Sequence, residues 1–241
     1  MEFLPERHYA HAPITEAVID FGVQLSADPT AENLGEIRDE SYAQRDPVFM
    51  GHVQFGSGTT SATQQALGWR FRSADGPYIY QVRTDGFALS RLTPYENWDN
   101  FSSEARRIWD KYRAVAKPIT VQRIALRYIN RIDIPLPLND FGEYLQCSPS
   151  VSPHLPQGLS NYLMSLTIPL DELVTVVVNE AILNQVTKPN AVSILLDIGV
   201  SQSLSLPFEE EALWERFGYL RKVKNHVFEA CITDKTRELF Q

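Results

Sequence analysis

The chain has 241 residues, 44% of them hydrophobic and 22% charged, with a formal net charge of −8. This is ordinary globular composition, long enough to bury a core, and it excludes a disordered chain. No apolar run reaches the roughly 18 residues of a membrane span, residues 1–7 do not read as a secretory signal, and Cys147 and Cys231 are too few for a disulfide framework or a cysteine metal cluster. The expected protein is cytoplasmic, with no membrane, no metal and no cofactor.

The first predicted element is a strand over 15–25, where Ala17, Ile19, Phe21, Val23 and Leu25 alternate with mostly polar residues. Asp28-Pro29-Thr30 opens a helix over about 30–45, with Pro47 as its stop. Four short strands follow, at 52–55, 67–73, 78–82 and 87–92. Gly56-Ser57-Gly58 reads as a loop, and Thr84-Asp85-Gly86 as a hairpin turn in which glycine supplies positive φ. A helix over 97–116 carries the apolar stripe Trp98, Phe101, Ala105, Ile108, Tyr112 and Val115. Val121 to Ile134 is a long strand ending at Pro135.

A short helix is expected over 139–146, capped by Asn139 or Asp140. After a Pro- and Ser-rich loop come strands at 160–168, 172–182 and 191–201. Pro207 and Glu209-Glu210-Glu211 open a last helix whose buried stripe is Leu213, Phe217, Leu220, Val223, Val227 and Cys231. The order is thus α+β and pseudo-duplicated: residues 1–118 form a β-α-β4-α half and 119–241 a β-α-β3-α half, together one continuous unit. It resembles the TATA-box-binding-protein and helix-grip group, where a curved antiparallel sheet is packed by two long helices. A fold carries no function with it.

Charge is uneven along the chain. Residues 66–131 hold ten Arg and two Lys against six acids, whereas both flanking segments are acidic. On the strand 121–134, Arg123, Arg127 and Arg131 share one face, with Arg70 and Arg72 nearby in sequence. Such a row could grip a phosphorylated ligand or nucleic acid. The opposing reading is structural: Glu16 and Asp20, on the polar face of the first strand, would pair with these arginines across strands.

Other motifs carry less. His8 and His11 lack a third ligand and read as a surface tail. The glycine-rich 56–61 stretch lacks the lysine of a phosphate loop. His226 and Cys231 point apart on one helix, Cys231 reads as core, and Cys147 has no evident base. Asp171-Glu172 reads as a solvated turn, and Trp69, Tyr78 and Tyr80 as cross-strand core aromatics.

Three segments, Pro13-Ile14-Thr15-Glu16-Ala17, Arg127-Tyr128-Ile129-Asn130-Arg131-Ile132 with Pro135, and Phe228-Glu229-Ala230-Cys231-Ile232-Thr233, resemble a sporadically distributed, uncharacterised bacterial family of this length. The resemblance implies no chemistry, but it marks Glu16, Arg127, Asn130 and Arg131 as motif positions. The expected function is non-enzymatic binding, to a protein partner or a second copy, with a nucleic acid or phosphorylated ligand next in order. The competing expectation is a ligand receptor or enzyme with a pocket between helices and sheet.

Overall fold

The computed structural model describes residues 2–26, 30–56, 59–184, 188–204 and 210–241, with only the backbone of 52–56, 59–63 and Glu210. Its strands are β1 (Ile14–Leu25), β2 (Gln44–Gly56), β3 (Thr59–Arg72), β4 (Tyr78–Arg83), β5 (Gly86–Leu92), β6 (Pro118–Pro135), β7 (Leu163–Pro169), β8 (Val174–Leu183) and β9 (Ala191–Ser203). Its helices are α1 (Ala31–Leu34), α2 (Trp98–Ala116), α3 (Glu210–Cys231) and α4 (Asp234–Glu238). The strands make one open antiparallel sheet in the order β2-β3-β4-β5-β1-β6-β9-β8-β7. The α+β class and the adjacency of β1 to β6 therefore agree with the sequence. The chain divides into two compact units, residues 18–124 with 203–209, and residues 1–17 with 125–202 and 210–241.

In the 18–124 unit the core is aromatic. Phe21 of β1 stacks on Trp109 of α2 at 4.1 Å, and Phe87 and Tyr112 close around them at 5.7 and 5.4 Å from the Trp109 ring. The buried stripe of α2 is Phe101, Ala105, Ile108, Trp109, Tyr112 and Ala116, whereas Val115 is exposed. The reason is drift. A mean spacing of about 3.5 residues rotates away from the axis of a 3.6-residue helix, so the stripe passes from Trp98 to Trp109 and Ala116 along the helix.

The helix expected over 30–45 is a correction. Only Ala31–Leu34 is helical, held by a Thr30–Asn33 capping box and closed at Gly35. Any side chain at Gly35 would press on Arg45 and on Trp69, whose indole N–H donates to the Ala31 carbonyl. Leu34 is buried from α1, and Ile37 and Tyr42 from the loop that follows it. That loop is clamped to α2: Asp39 accepts from Arg107 and from Lys111, and the Tyr42 hydroxyl donates to Glu104. Burial works against the Asp39 charge, but the donors Arg107, Lys111 and Ser41 outweigh it and hold the carboxyl well below its usual range.

Two of the four short strands are also longer than expected. β2 starts at Gln44, runs through Pro47, and pairs with β3 from Gln44↔Arg72 to Gly56↔Thr59. Proline is tolerated there because β2 is the outermost strand. The Asp28-Pro29 turn, Ser57-Gly58, and the Pro207 and Glu209 helix start lie outside the described residues. In the β4–β5 hairpin Arg83 pairs with Gly86, leaving Thr84 and Asp85 as the turn. Gly86 does not supply positive φ there. It is needed because a methyl group at this position would overlap the Phe21 carbonyl oxygen.

In the other unit, β6, β8 and β9 bury Leu126, Tyr128, Ile132, Val176, Val178, Leu196 and Ile198, and α3 buries Leu213, Trp214, Phe217, Leu220 and Val223. Val227, expected on that stripe, is only half-buried. The helix expected over 139–146 is a single 3-10 turn, Phe141–Glu143, capped by Asp140, and α4 had no forecast. The N-terminal segment also corrects an expectation. His8 and His11 are exposed, but the segment is strapped along α3: Leu4 N–H donates to His226, Tyr9 to Glu229, and His11 N–H to the Phe240 carbonyl.

Gly86→Ala should lower unfolding free energy by about 2 kcal/mol or more, since backbone must move to admit the methyl group. Gly158→Ala, with open space at its position, should stay within about 0.5 kcal/mol. Urea denaturation of both variants measures the difference.

Candidate functional site

From Ile124 to Ile134 β6 alternates. Its even-numbered residues Ile124, Leu126, Tyr128, Asn130, Ile132 and Ile134 are buried there, and Arg123, Arg127 and Arg131 take the opposite face. Within the 18–124 unit, Asp20 accepts from Arg83 at 2.9 Å and from Arg123, and Arg83 also reaches Asp85 at 3.0 Å. Arg70 pairs with Asp46 at 3.3 Å across the β2–β3 register. Both are largely exposed, so that pair contributes little. Arg72 is half-buried and makes no ion pair with a described residue.

In the other unit, Arg127 meets Asp197 of β9 in a two-pronged pair, Nε–Oδ1 2.7 Å and Nη2–Oδ2 2.6 Å. The Asp197 side chain is 4% exposed and the Arg127 side chain 53%. The carboxylate is therefore sunk in the sheet and the guanidinium lies over it. Asn179 of β8 donates to the same carboxylate, and Ser165 of β7 donates to Asn179. The result is a polar ladder across four strands. The Asp197 hydrogen bonds hold the Arg127 pKa above its usual value against burial, with Glu16 adding a further negative charge. Arg131 pairs with Asp133 at 3.0 Å and donates to Ser193, which donates to Asp133 in turn. Burial opposes the Asp133 charge, yet Ser193, Arg131 and Lys188 keep its pKa low.

The direct partner of Arg127 is thus Asp197, while Asp20 serves Arg123. Asp197 was absent from the sequence reading. The signal was available: one carboxylate in an otherwise apolar strand is costly unless paired. Asn130 faces away from the arginines. It is buried, and its amide donates to the carbonyls of Leu196 and Tyr128. The aromatics Trp69, Tyr78 and Tyr80 offer no stacking platform. Arg45 lies over Trp69, Arg91 over Tyr78, and Tyr80 is buried against Phe71.

A second group lies on the covered face of the 125–202 and 210–241 unit. Glu180 of β8 is 0% exposed, in line with Val174, Val176 and Val178. The Tyr162 hydroxyl donates to its Oε1 at 2.7 Å, and Oε2 has no partner among the described residues. Burial pushes the Glu180 carboxyl up to about 7, against the Tyr162 hydrogen bond. Lys224 of α3 is buried with its ammonium 3.9 Å from the Tyr128 ring centre. Burial and the Arg221 charge push it down to about 7, with Glu6 and Glu229 opposing. His226 accepts from Leu4, and Asp171 caps the turn at Leu173 and Val174, so both have structural work. Among the described residues no group of three or more His, Cys, Asp or Glu could hold a metal ion.

A double-mutant cycle with Arg127→Met and Asp197→Asn should give a coupling of about 2 kcal/mol, reduced from a fully buried pair by the half-exposed guanidinium. A coupling under about 0.5 kcal/mol would mean that the pair is idle. For Glu180 the sign follows from its raised pKa. The folded state holds the proton more tightly than the unfolded one, so this contribution is complete below about pH 4.3 and is lost as pH rises through about 7. Glu180→Gln should therefore be more stable than the parent at pH 8, by about 2 kcal/mol, and the gain should vanish near pH 4. Thermal melts across that range test it.

No protein-family model matches the chain, and no curated protein matches it either.

Proposed function

We propose that the protein is a non-enzymatic association protein, and that its β2–β3 ribbon pairs with the same ribbon of a second copy. The observation that carries this reading is the ribbon itself. β4 pairs with β3 only from Gly68 to Arg72, so residues 49–56 and 59–66 run past it as two strands alone. The departure point is a bulge, where the register shifts between Val48 and Phe49 and Leu67 is the extra residue. From Pro47 to Trp69 there is no Asp, Glu, Lys or Arg, in a chain that is 22% charged. Phe49 is 49% and Met50 38% exposed.

An isolated two-stranded ribbon is marginal in water and gains from a third strand. Outer strands are usually protected by charge, and this one has none beyond Asp46. A protein of net charge −8 repels its own copies, and an uncharged strip is where two copies can approach most closely. The arginines, by contrast, mostly have carboxylates of their own, which weakens the polyanion reading. The element order supports two duplicated halves of the TATA-box-binding-protein or helix-grip kind, and the three motifs support membership of the bacterial family named above, in a cytoplasmic setting.

Sedimentation velocity from about 1 to 100 µM should show a concentration-dependent dimer, and Phe49→Lys with Met50→Lys should weaken it at least about tenfold. A parent monomeric throughout, or a double variant that dimerises equally well, would sink the proposal. Titration with a mixed nucleic-acid pool should show no binding at low salt. Binding with a steep salt slope would return the arginine face to first place.

A further inference from the structure

Cys147 and Cys231 are 84 positions apart, and neither read as reactive in the sequence. The fold brings them together. Leu145 and Ile232 form an antiparallel bridge, Gln146 N–H donates to the Cys231 carbonyl at 2.8 Å, and Thr233 N–H donates to the Tyr144 carbonyl at 3.0 Å. Thr233 and Thr236 add side-chain bonds to the carbonyls of Glu143 and Tyr144. The segment 143–147 is thus sewn to the end of α3, which brings the two free thiols close to each other.

The two thiols differ in environment. Cys147 is half-buried and reachable, while Cys231 is buried at 3% exposure. Burial, the Cys147 sulfur and the Glu180 charge all raise the Cys231 pKa, so Cys231 keeps its proton. An outer, reachable thiol close to an inner one is the arrangement that dithiol–disulfide exchange uses.

We propose that Cys147 and Cys231 are a redox-active dithiol that reacts with low-molecular-weight disulfides. In the first step the Cys147 thiolate attacks one sulfur of the disulfide. A mixed disulfide forms on Cys147, the first small thiolate leaves, and it takes up the proton that Cys147 gave to solvent. In the second step Cys231 gives its proton to solvent and its sulfur attacks the Cys147 sulfur. The mixed disulfide breaks, the Cys147–Cys231 bond forms, and the second small thiolate leaves and takes up a proton from solvent. The balance is two protein thiols and one small disulfide giving one protein disulfide and two small thiols. This site is independent of the ribbon, and either can fail alone.

Oxidised glutathione is the probe, with the full chain followed by intact mass and peptide mapping. The parent should lose the mass of two hydrogens and yield a Cys147–Cys231 linked peptide. Cys231→Ser should stop at one glutathione on Cys147, and Cys147→Ser should stay unmodified while its circular dichroism matches the parent. A parent that retains glutathione without forming the link overturns the dithiol, as does a Cys147→Ser variant that reacts as fast as the parent.

Discussion

A cation on the face of a sheet stays ordered only if something of opposite charge is held in place for it, and much of this fold depends on that constraint. Asp197 is its clearest instance. The carboxylate is almost wholly removed from water, which would cost several kcal/mol if it were alone. It has the fork of Arg127 above it and Asn179 beside it. Three strands are thereby tied through side chains as well as through backbone, and the register of β8 on β9 places Asn179 directly opposite Asp197. A slip of β8 by one residue would send Asn179 to the apolar face. Asp20 does the same for Arg83 and Arg123, and Asp39 for the loop beneath α2.

How much of this was legible in the sequence depends on the range of the interaction. The period-two strands β1, β5 and β6 and the long helix α2 are written in local alternation, and so is the arginine face of β6. The loop 35–43 misled because Leu34, Ile37 and Tyr42 have helical spacing, while the groups that hold them are Glu104, Arg107 and Lys111 of α2. No local pattern reports a clamp more than 60 residues away. Asp197, Glu180 and Lys224 were passed over for a related reason. Each is a charged residue on an element that otherwise reads as core or surface, and its meaning rests on partners from other elements. Gly86 was found correctly as a turn-associated glycine, but for the wrong physical reason.

The two units meet the burial of polar groups differently. The 18–124 unit keeps its centre aromatic and moves its charges to the loop clamp and the hairpin. The other unit places a carboxyl group and an ammonium group in its interior, each driven toward neutrality by burial. Replacing such groups by apolar ones of similar size is often neutral or stabilising. Their presence is therefore not explained by stability, and that points to chemistry or selectivity at these positions.

The strap of residues 3–13 has a bearing on how the chain is made. Its hydrogen-bonding partners His226, Glu229 and Phe240 lie more than 200 residues downstream. On a ribosome, the segment 18–124 can collapse around Phe21 and Trp109 while these partners are still unsynthesised. The strap must wait, apolar residues Phe3 and Leu4 included, until α3 emerges. The second unit is thus completed later than the first. Until then the backbone groups of Leu4 and His11 and the hydroxyl of Tyr9 are without the partners that hold them in the folded protein.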